Sequence, residues 1–395
     1  MRPVLILLPV LGVSICLCCA SVGRTQSDTR CSNTREFVDP VYGSKITELL
    51  SPGRNGHNLY YHRDPWNADN SYLLGIDSDS ESRNWSVMLY DGRGCFIKRL
   101  FTIDQYDWRL VWDRRDPNTL YTWRGSALYR FDVTSNRAQL LKSFAPLQLK
   151  PNGPSLNQTG DRILVATSDN VFHSYRLPDM TEERSFAARF PGACRSAWKD
   201  DRYIGFRDYI ATHCNSTNPP FQGLFIYDDS GGSFHVFDGV GGGGHYDFSP
   251  EGKLAYFRMA GGGRGRPPTP LEIHVVNLDG TNDRVLYSIP QERTRYLQNL
   301  HLSWPDRVTN WFVAGFFPFP NARQERYAPP FDEIAAIDLS GNLKNLARTQ
   351  TNPGRGAAFW AQPLASPSAD GTRISFNSNR TGNIEQYILW TPSNP

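Results

Sequence analysis

Only four methionines occur in 395 residues, and neither charge dominates. Lysine plus arginine number 42 against 39 aspartate plus glutamate, a net charge of +3. A global polyanion-binding surface is therefore excluded, and any basic site must arise from local placement. The chain also lacks a basic run, which argues against nucleic acid. Beyond residue 23 there is no apolar stretch long enough to span a bilayer, no heptad and no low-complexity block. Beyond residue 23, Gly-x-Ser-x-Gly, Cys-x-x-Cys and Cys/His ligand spacings are missing too, which removes the nucleophile elbow and a thiolate zinc site from consideration.

What is abundant points one way. Thirty-three glycines, 28 prolines, 18 tyrosines and 22 phenylalanines favour short strands joined by tight turns. Helical bundles, helix-pair solenoids and most βαβ architectures are excluded on that ground. At 39% hydrophobic and 21% charged residues, the chain has the composition of a soluble globular protein.

Met1-Arg2, an apolar run from Val4 to Ala20, and small residues at Ala20, Ser21 and Gly23 predict a secretory signal peptide over 1–23. A membrane anchor is the weaker reading, because Pro9 and Gly12 break the run. The remainder, 24–395, is expected to be one domain, secreted or, in a bacterium, periplasmic. Four cysteines survive removal of the leader, and an even number in an oxidising compartment predicts two disulfides. Cys194 with Cys214 is the preferred pair, flanking adjacent strands, which leaves Cys31 with Cys95. Asn-x-Ser/Thr sequons fall at Asn84, Asn157, Asn215 and Asn379.

A cadence recurs along the chain: polar turn, apolar strand, turn, strand. His245-Tyr-Asp-Phe-Ser-Pro-Glu-Gly leading to Lys253–Phe257 is the clearest copy. Gln362 to Gly371 leading to Arg373–Phe376 is another, and His301-Leu-Ser-Trp-Pro-Asp leading to Asn310–Ala314 lies between them. Worn copies start near Trp66, Trp112, Leu156 and Trp198. Seven units of short alternating strands predict an all-β fold, a seven-bladed propeller of four-stranded antiparallel blades. The seventh unit has no room for a fourth strand. Ser44–Leu50 is expected to supply it and close the ring.

In such a ring the innermost strand begins, and the second strand ends, at one face. Counting back from the turn puts Arg63, Arg109, Arg195, His245, His301 and Gln362 at inner-strand starts. Arg124, Arg207 and Arg258 fall at second-strand ends. Strand-end arginines also pair with turn aspartates, and Asp64, Asp69, Asp107, Asp208 and Asp247 are within reach. Six arginines on one rim nevertheless suit a carboxylated ligand, because guanidinium matches carboxylate bidentately.

The repeats His245-Tyr-Asp-Phe-Ser-Pro, His301-Leu-Ser-Trp and Ser-Pro-Ser-Ala-Asp-Gly…Phe-Asn-Ser-Asn-Arg-Thr-Gly resemble TolB-type propeller repeats. More narrowly, the chain resembles the oligogalacturonate lyases over most of residues 40–392. The resemblance implies β-elimination of uronate chains: a base removes the proton next to the carboxylate while manganese neutralises its charge. It assigns His245 to the base and His301, with Gln298 nearby, to the metal. The family's last-blade Gln-x-x-His-x-His cluster is not matched, since Ala357, Trp360 and Gln362 stand there. Arg195 or Arg258 then takes the role of fixed positive charge, with Tyr60, Tyr61 or Tyr246 as proton donor and Arg63, Arg109, Arg124, Arg207 and Gln362 as substrate contacts. The expected partner is an acidic oligosaccharide or polysaccharide, with no nucleic acid, no stable membrane span and a monomeric chain. A non-catalytic propeller that binds glycan or protein is the alternative.

Overall fold

The computed structural model describes residues 31–395 apart from 53–54, 79–83, 105–109, 151–153, 188–201, 205–208, 218–219, 229–230, 239–244, 260–269, 295, 319–330, 355–358 and 393–394. Side chains at 84, 104, 202–204, 213–217, 220–222, 233–234, 238 and 259 are likewise not described. Seven antiparallel sheets follow one another along the chain. The first blade comprises Asn55–His57, Tyr72–Ser78, Asn84–Asp91 and Phe96–Asp104. The fifth comprises Tyr246–Phe248, Lys253–Met259, Leu271–Asn277 and Arg284–Ile289, and the sixth Leu297–Ser303, Trp311–Pro318, Glu333–Asp338 and Leu343–Arg348. In the seventh, Ser366–Pro367, Arg373–Ser378 and Glu385–Trp390 come from the far end of the sequence.

Among the described residues the buried apolar side chains form seven clusters, each between successive blades, as wedges between the sheets. One, for example, joins Phe257 and Ile273 of the fifth blade to Leu300 and Phe316 of the sixth. Another joins Leu49 and Ile388 of the seventh to Leu73 and Tyr90 of the first, which completes the circle. Strands packed between two wedges are buried on both faces, as in Glu333–Asp338. Outer strands such as Arg137–Ser143 are mostly exposed. That is why the middle strands read as nearly continuous apolar runs and the outer ones do not.

The first-to-second-strand turns repeat one device. The Gly252 amide donates to the Ser249 carbonyl at 2.9 Å, and Gly371 repeats this on Ser368 at 2.9 Å. Both glycines adopt positive φ, 78° and 71°, which a residue with a Cβ disfavours.

Lys45–Leu49 closes the ring as expected, pairing antiparallel with Glu385–Trp390. A fifth strand, Thr34–Val38, adds to its outer edge, and the sequence reading had not included it. Cys31 and Cys95 form the expected disulfide, tying the start of that strand to the first blade. Cys194 and the side chain of Cys214 lie outside the described residues. At the closing seam, Glu385 Oε2 accepts from the Ser51 amide at 3.0 Å. Glu48 pairs with Arg35 at 2.5 Å and accepts from the Tyr387 hydroxyl at 2.9 Å. No helix among the described residues is long and apolar enough to cross a membrane.

Candidate functional site

The first blade departs from its neighbours at the channel. Its inner strand pairs His57 with Ile76, and the chain rejoins the same sheet only at Trp66, which bridges to Leu73. Residues 58–65 therefore leave the sheet and run through the channel, held from three sides. Asn58 and Asn377 exchange hydrogen bonds of 2.8 and 3.1 Å. Ser303 of the sixth blade donates to the Tyr61 carbonyl at 2.6 Å, and Ser366 of the seventh to the Arg63 carbonyl at 2.7 Å. Trp112 of the second donates to the Pro65 carbonyl at 3.3 Å.

This segment carries Tyr60, Tyr61 and His62 against the two histidines singled out by sequence. His245 and His301 lie with ring centroids 4.2 Å apart. The Tyr61 ring sits 4.7 Å from His301 and 3.7 Å from His62. Tyr60 lies 4.9 Å from His62 and 6.2 Å from His301, and holds φ of 138°. An aromatic residue in that region stores strain, and such strain concentrates at functional sites. His301 is 0% exposed, and neither of its ring nitrogens has a hydrogen-bond partner among the described residues. Burial, with the nearby His245 and His62, holds its pKa well below the usual histidine value, so the imidazole is neutral at pH 7. His57, which sequence reasoning passed over, is also buried. It stacks on Trp360 at 4.0 Å, and burial lowers its pKa to about 3.

The manganese implied by the resemblance does not fit the residues present. Among the described residues, no three His, Cys, Asp or Glu side chains gather where a cation could be held. Gln298 sits at a β-bulge in Leu297–Ser303 and is exposed. Gln362 is buried, with Oε1 accepting from Asn299 Nδ2 at 2.9 Å. Trp360 is packed on His57 and Ala357 lies outside the described residues. His301, Gln298 and Gln362 by themselves cannot satisfy a hard divalent ion.

The predicted arginines are not all at one end. Arg124 and Arg258 are exposed at the ends of their second strands, as expected. Tyr246 pairs with Tyr256, so His245 faces Phe257, one residue before Arg258. Glu272 lies opposite Arg258 in register, yet its carboxylate is on His274 at 3.3 Å. Arg63 is placed differently, because counting back from the turn assumed an uninterrupted inner strand. Its Nη1 donates to the Pro154 carbonyl at 3.1 Å, inside a cavity of about 70 Å³ with Asp64, Arg114, Ser249 and Asp306. Asp64, Arg114, Ser249 and Asp306 belong to the connections between first and second strands, at the opposite end of the blades from Arg258, and Pro154 directly precedes the short inner strand Ser155–Leu156. An adjoining cavity of about 240 Å³ shares Arg114 and Asp306, which pair at 2.8 Å. Arg109, Arg195 and Arg207 lie outside the described residues. Asp247, one of the five turn aspartates within reach of strand-end arginines, accepts from the Trp304 amide at 2.6 Å and joins the fifth blade to the sixth.

The architecture is that of a seven-bladed β-propeller resembling the oligogalacturonate lyases. An oligogalacturonate lyase in complex with manganese superposes with a TM-score of 0.64 at 14% identity, covering 91% of this chain and 96% of that one. The oligogalacturonate lyase of Vibrio parahaemolyticus gives 0.63 at 12% identity, over 91% and 97%. Hydrazine synthase of Kuenenia stuttgartiensis gives 0.52 at 13% identity, over 86% and 98%. At these identities the likeness establishes the fold alone. No family model matches the sequence, and no curated protein matches it.

Proposed function

We propose that this chain is an exported, monomeric propeller that binds uronate-type acidic oligosaccharide at the end of the ring where the second strands finish. The observation that carries the reading is Arg258. It is exposed, makes no ion pair among the described residues, and stands one residue beyond the cross-strand neighbour of His245. A guanidinium that no described residue pairs, at the end of a second strand, is matched to a carboxylate. The likeness to lyases of oligogalacturonate supports the substrate class. Export of residues 24–395, with 1–23 as the leader, is supported by the Cys31–Cys95 disulfide, since such bonds persist in oxidising compartments.

Cleavage is a second reading, favoured by the His245–His301 pair and its tyrosines. In it His245 takes the proton next to the carboxylate, Arg258 or Arg195 holds the developing negative charge, and a tyrosine protonates the leaving oxygen. The donor set does not support a manganese-assisted version.

One experiment separates the two. Tetragalacturonate is titrated into the protein by calorimetry, and absorbance of unsaturated chain ends is followed with manganese and with chelator. Binding that is lost on replacing Arg195 and Arg258 by alanine supports the site. Unsaturated product that disappears in His245→Ala makes the chain a lyase. Tetragalacturonate binding that is absent, or indifferent to both arginines, sinks the proposal.

A further inference from the structure

The last blade offers something else where the resemblance expects metal ligands. The short 3₁₀ turn Phe359–Ala361 lies in the crossover from the sixth blade to the inner strand of the seventh. It is therefore at the end of the ring where inner strands begin, as His245 is. Trp360 and Ala361 are buried there, whereas Phe359 is 38% exposed. Its ring is stacked on Tyr60, with centroids 5.8 Å apart and planes 24° from parallel. Trp360 braces it edge-on at 5.1 Å.

The supports of this stack are costly. Tyr60 holds φ of 138°, and Leu364, five residues after Phe359, holds φ of 43°. Asn58 fixes the second, donating to the Leu364 carbonyl at 2.6 Å. Two strained residues held by a buried amide pair rigidify one partly exposed aromatic ring. Beside it, Gln362 spends its Oε1 on Asn299, while its Nε2 has no partner among the described residues. An exposed, rigid aromatic ring with an unspent amide donor three residues away has the makings of a ligand subsite.

We infer that Phe359, stacked on Tyr60, is the platform for one pyranose ring of the bound saccharide, with Gln362 Nε2 donating to a ring hydroxyl. The inference rests on the saccharide-binding reading above and names the contact that reading lacks. A pyranose has a face of C–H groups and a rim of oxygens. The C–H face covers the Phe359 ring with weak C–H contacts and burial of apolar area, and a rim oxygen takes the amide proton. The subsite recognises the ring, and Arg258 answers separately for the carboxylate.

The test uses two probes, tetragalacturonate and its carboxyl-reduced, uncharged counterpart, read by calorimetry and by the tryptophan fluorescence of the neighbouring Trp360. Phe359→Ala is expected to weaken both probes about tenfold, Phe359→Trp to retain both, and Gln362→Ala to weaken both by a smaller factor. Thermal melts of each variant report whether the exposed position has disturbed the fold. If Phe359→Ala melts early, the carboxyl-reduced probe is tested on Phe359→Trp and Phe359→Lys, of which only the first should bind. Wild-type binding unchanged by Phe359→Ala overturns the platform and leaves the proposed function standing. Phe359-dependent binding of the uncharged probe alone upholds the platform and removes the uronate assignment. Binding of neither probe overturns both.

Discussion

Glu385 stands at the seam where the ring closes, and replacing it by glutamine should change how stability responds to pH. Burial, together with the negative charges of Glu48 and Asp77, raises its pKa from 4.5 to about 8, against one bond from the Ser51 amide that favours the charged form. Below about pH 4.5 the group is protonated in both folded and unfolded chains. As pH rises the unfolded chain gives up its proton first, while the folded chain keeps it. Stability present below 4.5 is therefore lost progressively up to pH 8. At 1.36 kcal/mol per pH unit the loss between pH 5 and pH 8 amounts to about 4 kcal/mol. The side chain is only 7% exposed, so solvent screening takes little from that figure. Glutamine keeps an acceptor for the Ser51 amide and has no proton to lose. Urea unfolding of wild type and Glu385→Gln at pH 5, 6, 7 and 8 is the assay. The variant should gain on wild type steadily across the series, by about 4 kcal/mol in all. Parallel stability curves, or a gap that narrows toward pH 8, would refute the reasoning.

The remaining predictions concern the outer strand and the channel. Reduction of Cys31–Cys95, or Cys95→Ser, should lower stability by about 2–4 kcal/mol. Melts check this: Cys95→Ser should show the loss before any reductant is added, and wild-type stability there would mean that the bond contributes nothing. His301, buried and neutral, makes the fold lose stability as pH falls below 6.5, because the unfolded chain takes up a proton the folded one refuses. His301→Phe should flatten that acid loss by roughly 1.4 kcal/mol per pH unit; equal slopes from pH 6.5 to pH 5 would mean the imidazole is not sequestered in solution.

The blade cadence was legible because it depends on local chemistry. Ser249 and Gly252, or Ser368 and Gly371, specify a turn through their own backbone and hydroxyl bonds. Closure by Lys45–Leu49 followed from an unfilled outer position, and Cys31–Cys95 from elimination. The fifth strand escaped notice because Thr34–Val38 is an edge with little buried surface, and so leaves a weak periodic signal. The channel was the least legible part. Arg63 stands at the right distance from its turn, but nothing local announces that residues 58–65 desert the sheet. Their position is imposed by Ser303, Ser366 and Asn377, which lie far away in sequence. The proximity of His245 and His301 was anticipated from equivalent positions in adjacent blades. Their enclosure by Tyr60 and Tyr61 was not, since it needs that deserting segment.

The seam also orders the life of the nascent chain. Glu48 and Tyr387, which share a hydrogen bond, are separated by 339 residues. Lys45–Leu49 can pair at first only with its sequence neighbour Thr34–Val38, and is joined to the rest of its blade when Glu385–Trp390 arrives. Domains that can fold as they are synthesised gain protection from aggregation, whereas here the last fastening waits for a strand that follows more than three hundred residues later. A circular permutant that opens within another blade, and joins these two strands covalently, would be free to assemble this blade first.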